Sequence, residues 1–121
     1  MRIGSISENL NIEKRIAITP DIVKKYTSLG FEICLSENYG SHLGINDNQY
    51  KEMGASISKD ETEVLDSSDI IVQLGMLSDQ KTSNIKEKKT LIGVLNPYDN
   101  KNEIDNLIKK NINTFSLELL P

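Results

Sequence analysis

Tryptophan is absent from this 121-residue chain, and cysteine and histidine occur once each. The lone Cys34, inside the apolar run FEICL, excludes an internal disulfide framework and reads as a core thiol of a reducing compartment. The lone His42 has no second soft ligand near it, and neither HExxH nor CxxC occurs, so no metal is expected. GxSxG and P-loop patterns are missing too, which removes the common hydrolase and NTPase readings. No apolar run approaches the roughly 20 residues that span a bilayer, and no leader segment is expected ahead of the first strand. Positive charge is also scarce: 14 Lys and Arg stand against 18 Asp and Glu, and they are scattered. Without a concentrated basic face, nucleic acid is not an expected partner.

What is present has the rhythm of alternating strands and helices. The length suits one domain with a real core. MRIGSI is a short strand, and the polar stretch SENLNIEK follows it. Thr19 is an N-cap, Pro20 sits in the first turn and Asp21 favours the positive end of the first helix. Ile22, Val23, Tyr26 and Leu29 fall on one face of that helix, and Gly30 supplies the left-handed residue that ends it. FEICLS is the next strand. Asn46 with Gln49, and Asp60 with Glu63, have capping-box spacing for two short helices around a small strand near Ala55 to Ile57.

SDIIVQLG and TLIGVLN are continuous apolar strands of the kind buried on both faces. Asp79 to Lys88 between them is one polar helix or an irregular segment. Asn100 with Glu103 opens a last helix, with Ile104, Leu107 and Ile108 facing inward, before the strand INTFSLE. The predicted fold is a three-layer α/β domain over residues 1–121, Rossmann-like or flavodoxin-like, with a mostly parallel sheet. The closing NTFSLELLP runs from strand into Pro121 with no polar tail, as expected of a piece cut from a longer polypeptide.

A Rossmann-type order calls for the GxGxxG fingerprint after the first strand, and here that place holds Ser-Ile-Ser-Glu-Asn. The domain is therefore not expected to hold a nucleotide by itself. Arg15 lies on the connection between the first strand and first helix, at the sheet edge where ligands sit in open parallel sheets. Its planar donor fork suits a carboxylate or phosphate, or else an ion pair with Glu13 or Glu8. Gln73, Asn96 and Asp99 stand at the ends of the two later strands and are candidates for the same cleft edge. Tyr39 and His42 read as loop-packing residues.

The segments MRIGSISENLNIEKRIAITPDIVKKYTSLGFEI, ENYGSHLGINDNQYKEMGA, SSDIIVQLG and TLIGVLNP carry a resemblance. The chain resembles the N-terminal domain shared by alanine dehydrogenase and the alpha subunit, or domain I, of proton-translocating NAD(P) transhydrogenase. The resemblance covers essentially the whole chain, and KRIAITP combined with the GSHLG loop is its most specific part. It implies a Rossmann-like first domain without the fingerprint, followed in the same polypeptide by a second domain that binds NAD(H) in the cleft between them. The residues that clasp the cofactor are then expected mostly beyond Pro121.

In the alanine dehydrogenase branch the arginine matching Arg15 holds the substrate carboxylate, a lysine stands at the place of Gln73, and a catalytic histidine at the place of Asn96. This chain keeps only the arginine, and an amide cannot perform the required proton transfer. The resemblance thus implies the transhydrogenase branch: an oxidoreductase and translocase, with NADP(H) on a beta subunit. A membrane domain, an alpha-subunit homodimer, a position on the cytoplasmic side of the membrane and no metal are also implied. Isolated activity is not expected. An alanine dehydrogenase-like or saccharopine dehydrogenase-like oxidoreductase, or a non-catalytic subunit-association module, are the competing readings.

Overall fold

A computed structural model describes residues 1–96 and 99–117 of the chain. Six strands, β1 (Arg2–Ser5), β2 (Glu32–Ser36), β3 (Ser56–Ser58), β4 (Ile70–Gln73), β5 (Thr90–Gly93) and β6 (Asn113–Ser116), form one sheet. Every pairing is parallel and the spatial order is β3-β2-β1-β4-β5-β6. That is the Rossmann order, with the topological switch point between β1 and β4. Glu118, the last residue of the predicted strand INTFSLE, lies outside the described residues, as does Pro121, the expected point of truncation.

Among the described residues five α-helices connect the strands: α1 (Pro20–Ser28), α2 (Asp47–Glu52), α3 (Glu61–Ser67), α4 (Asp79–Thr82) and α5 (Lys101–Lys109). Because side chains alternate across a strand, the sheet feeds two cores. Ile3, Ile33 and Leu35 pack with Val23 of α1 and Tyr50 of α2 on one face. Ile6, Cys34, Ile71 and Leu91 pack with Val64 and Leu65 of α3 and Leu107 of α5 on the other. This gives the three layers expected, and Cys34 is a buried free thiol. Gly4 allows α3 to approach β1, since a Cβ there would collide with Ser68 Oγ and lie 3.1 Å from Val64 Cγ1.

Helix starts follow the sequence in part. Thr19 caps α1 and Asn46 forms a full capping box with Gln49. The second predicted box does not form: Asp60 accepts from Thr62 N–H, while Glu63 turns to the Ser58 hydroxyl. Asn100 gives α5 no side-chain cap, because its amide donates to the Leu95 and Asn96 carbonyls instead.

Helix ends correct two expected core positions. Leu29 is 66% exposed and Ile108 is 61% exposed. In α1, Gly30 N–H bonds the Thr27 carbonyl and Phe31 N–H the Tyr26 carbonyl, with Gly30 at φ +96°. In α5, Asn111 at φ +62° and Ile112 do the same toward Ile108 and Leu107. These are Schellman ends, in which the residue two beyond the cap folds back onto the last inward-facing helical turn. Phe31 and Ile112 therefore take the apolar places assigned by periodicity to Leu29 and Ile108.

Candidate functional site

The C-terminal edge of the sheet carries a cleft of about 610 Å³. Its walls come from the β1–α1 connection (Ser7, Glu8, Asn9, Ile12, Glu13), the β4–α4 connection (Gly75 to Ser78), Asp79 and Lys81 of α4, and Asn100 and Glu103 at the start of α5. It lies where ligands enter folds of this topology, beside the β1/β4 switch point. Four of its lining side chains are carboxylates and one is a cation, Lys81, which is ion-paired to Glu61 at 3.1 Å.

None of Arg15, Gln73, Asn96 and Asp99 is among the lining residues, although each touches or adjoins one. Arg15 is exposed and doubles back on Glu13, with Nη2 2.6 Å from Oε1 and its backbone N–H 3.0 Å from Oε2. These bonds hold the Glu13 carboxyl at about 2, well below its ordinary range. Asn96, at φ +47°, donates from Nδ2 to Asp99 at 2.7 Å, and its carbonyl accepts the Asp99 N–H. These bonds tie Asn96 to Asp99 just ahead of α5.

Gln73 is 1% exposed, and its amide continues the sheet beyond the backbone ladder. Its Oε1 accepts Ile6 N–H at 2.7 Å, and its Nε2 donates to the Ile6 carbonyl at 3.0 Å and to Glu8 Oε2 at 3.1 Å. The Ser5 hydroxyl lies 3.0 Å from Oε1 and also within bonding distance of the Val72 carbonyl. Both donors of the amide and one of its acceptor positions are thereby used, with the Ser5 hydroxyl beside the other.

Glu8 is the residue that sequence reasoning undervalues. Its Oε1 accepts from both Leu74 N–H (2.6 Å) and Gly75 N–H (2.9 Å), which tie the β1–α1 connection across the switch point. Burial pushes its carboxyl above the ordinary value, against the pull of those donors and Gln73. The available signal is an acid three residues past the first strand, at the sheet's ligand edge.

Tyr39, buried as expected, does more than pack. Its oxygen accepts Ala17 N–H at 3.2 Å and Ile18 N–H at 3.3 Å and lies 2.8 Å from Ser5 Oγ. With two acceptor positions filled, the phenol donates to Ser5, which in turn can donate toward Gln73 or the Val72 carbonyl. Tyr50 meets Tyr39 edge-on and donates to the Ile18 carbonyl at 2.8 Å. Burial raises both phenols, Tyr39 to about 12. His42 joins the arrangement through Nε2, 2.7 Å from the Lys14 carbonyl. The KRIAITP segment is thus stapled to the fold through its backbone, leaving the Arg15 guanidinium outside.

The two N–H groups at the switch point are taken by Glu8, and the space a Cβ would fill at Gly4 belongs to α3 rather than to a pyrophosphate. Among the described residues no group of three or more His, Cys, Asp and Glu is placed to hold a metal, and no helix is long and apolar enough to cross a membrane.

Residues 4–121 match the family described as alanine dehydrogenase/PNT, N-terminal domain. The chain is 30% identical over 125 residues to the first part of the NAD(P) transhydrogenase alpha subunit of Rickettsia prowazekii, covering all of this chain and 33% of that protein. A crystal structure of transhydrogenase from Sinorhizobium meliloti superposes with a TM-score of 0.93 at 26% identity, over 100% of this chain and 36% of that one. An L-alanine dehydrogenase structure gives a TM-score of 0.89 at 18% identity, over 96% of this chain and 32% of the other, a likeness of fold. The chain therefore spans about a third of the length of these relatives.

Proposed function

The chain belongs to the alanine dehydrogenase/PNT N-terminal domain family, and on that premise we propose that it forms one wall of the NAD(H) site in the alpha subunit of a proton-translocating NAD(P) transhydrogenase. The other wall is a second, fingerprint-bearing domain of the same polypeptide beyond Pro121, which supplies most of the cofactor-binding residues. NADP(H) is carried by a beta subunit with its membrane domain, the alpha subunit is a homodimer, and the assembly lies on the cytoplasmic side of the membrane. The reaction is hydride transfer between NADH and NADP⁺ coupled to proton movement.

One observation carries this reading: a Rossmann strand order whose switch-point donors are occupied by the chain's own Glu8. Such a domain can shape and orient a nucleotide site yet cannot grip the pyrophosphate. The nicotinamide cofactors supply the hydride chemistry. This chain's residues have orienting work: Gln73 and Tyr39 fix the edge, and the exposed Arg15 fork, already paired to Glu13, orders the rim facing the second domain. A dehydrogenase of the alanine dehydrogenase kind is expected to carry a cation where Gln73 stands and a proton-transfer group where Asn96 stands, and an amide supplies neither.

The test uses the polypeptide extended to the relatives' length and assembled with its membrane partner in vesicles. NADH-dependent reduction of NADP⁺ that responds to an imposed proton gradient is expected, with Arg15→Ala weakening NADH affinity. Oxidation of NADH by a 2-oxo acid and ammonia, without such coupling, would overturn the assignment.

A further inference from the structure

Leu74 and Gly75 follow β4 at the switch point, and their consecutive N–H groups converge on one oxygen of Glu8. Two successive backbone donors aimed at one point make a small anion seat. The second Glu8 oxygen receives Gln73 Nε2, and Gln73 cannot turn away because Ile6 holds both ends of its amide. Glu8 and Gly75 both line the cleft, so the seat opens onto it. All three donors to Glu8 are neutral amides. A loop needing only a tether could use a neutral side chain there, without the cost of half-burying a charge.

We infer that Glu8 is a built-in occupant of an oxyanion seat: its carboxylate fills the place at the switch-point edge where a free small carboxylate would sit. The cleft is thereby closed to small anionic substrates. Glu13, Asp79 and Glu103 along the walls reinforce the exclusion, and the ion-paired Lys81 does little to offset it. Burial makes the seat a weak one for an untethered anion, whereas Glu8, attached three residues after β1, has a high effective concentration there. The inference concerns which ligands the cleft refuses and stands whether or not the transhydrogenase assignment does.

Its test is chemical rescue in this chain. Glu8→Ala should melt at a lower temperature than the unsubstituted protein. Sodium acetate should raise its melting temperature saturably, while sodium chloride at the same ionic strength should not. In the same titration the amide resonances of Leu74 and Gly75 should shift and saturate in Glu8→Ala, and stay still in the unsubstituted protein. Phosphate in a parallel titration reports whether the seat also takes a larger oxyanion. A folded Glu8→Ala indifferent to acetate, one that stays unfolded at every acetate concentration, or an unsubstituted protein that responds equally would overturn the inference.

A second readout needs no substitution. The Leu74 and Gly75 amide protons should move together with the Glu8 carboxyl as it titrates above its ordinary range. Amides silent through the Glu8 titration would also overturn it.

Discussion

Arg15 and Gln73, both read from sequence as cleft-edge candidates, do opposite physical work. Arg15 is solvated and bonded to Glu13, a residue two positions away, so removing it should leave the unfolding midpoint unchanged. What Arg15→Ala should change is Glu13, whose carboxyl rises from about 2 toward its ordinary value. The sign follows from the depression: the ion pair is fully formed above the ordinary carboxylate range and is lost as pH falls toward 2. A carbon-13 titration of the Glu13 carboxyl in both proteins checks this. Gln73 is buried, and Gln73→Ala strands the backbone of Ile6 and takes one of its three donors from the Glu8 carboxylate. A loss of about 2–4 kcal/mol is expected in urea denaturation, the range for breaking a buried polar network. Tyr39→Phe, which frees Ala17 and Ile18 N–H, should cost about 1–3 kcal/mol by the same measurement.

At the scale of elements, the close contact of α3 with β1 is the most demanding feature. Gly4→Ala drives a methyl into Ser68 and Val64, both buried. It should destabilise by about 1–3 kcal/mol, and Gly4→Ala combined with Ser68→Gly should recover part of that in the same urea series. Strand positions, the α1 and α2 starts and the parallel sheet are legible in the sequence because they rest on local pattern. Leu29 and Ile108 are misplaced by it because a 3.6-residue period does not register where a Schellman end bends the chain. Asp60 caps α3, but its box with Glu63 stays open because the Ser58 hydroxyl draws Glu63, and Asn100 gives no cap because its amide is drawn to Leu95. The candidate edge is legible from topology, with Arg15 on it. Glu8 is not, since its partners Leu74 and Gly75 are 66 and 67 positions away. Nor is the full use of Gln73, which depends on β1 and β4 being neighbours.

The whole molecule presents a Rossmann order, two apolar cores divided by the sheet, and an acidic cleft at the switch point whose backbone donors are already satisfied. Each feature is what the proposed role asks of a domain that shapes a nucleotide site shared with another domain. It also spans about a third of the relatives it matches. The decisive measurement is a fluorescence titration of NADH against this 121-residue chain and against the polypeptide at the relatives' length. Saturable binding by the longer protein, with none by the shorter, is the expected result. Tight binding of NADH by the 121-residue chain alone would contradict it, because the switch-point donors held by Glu8 would then not be what keeps the nucleotide away.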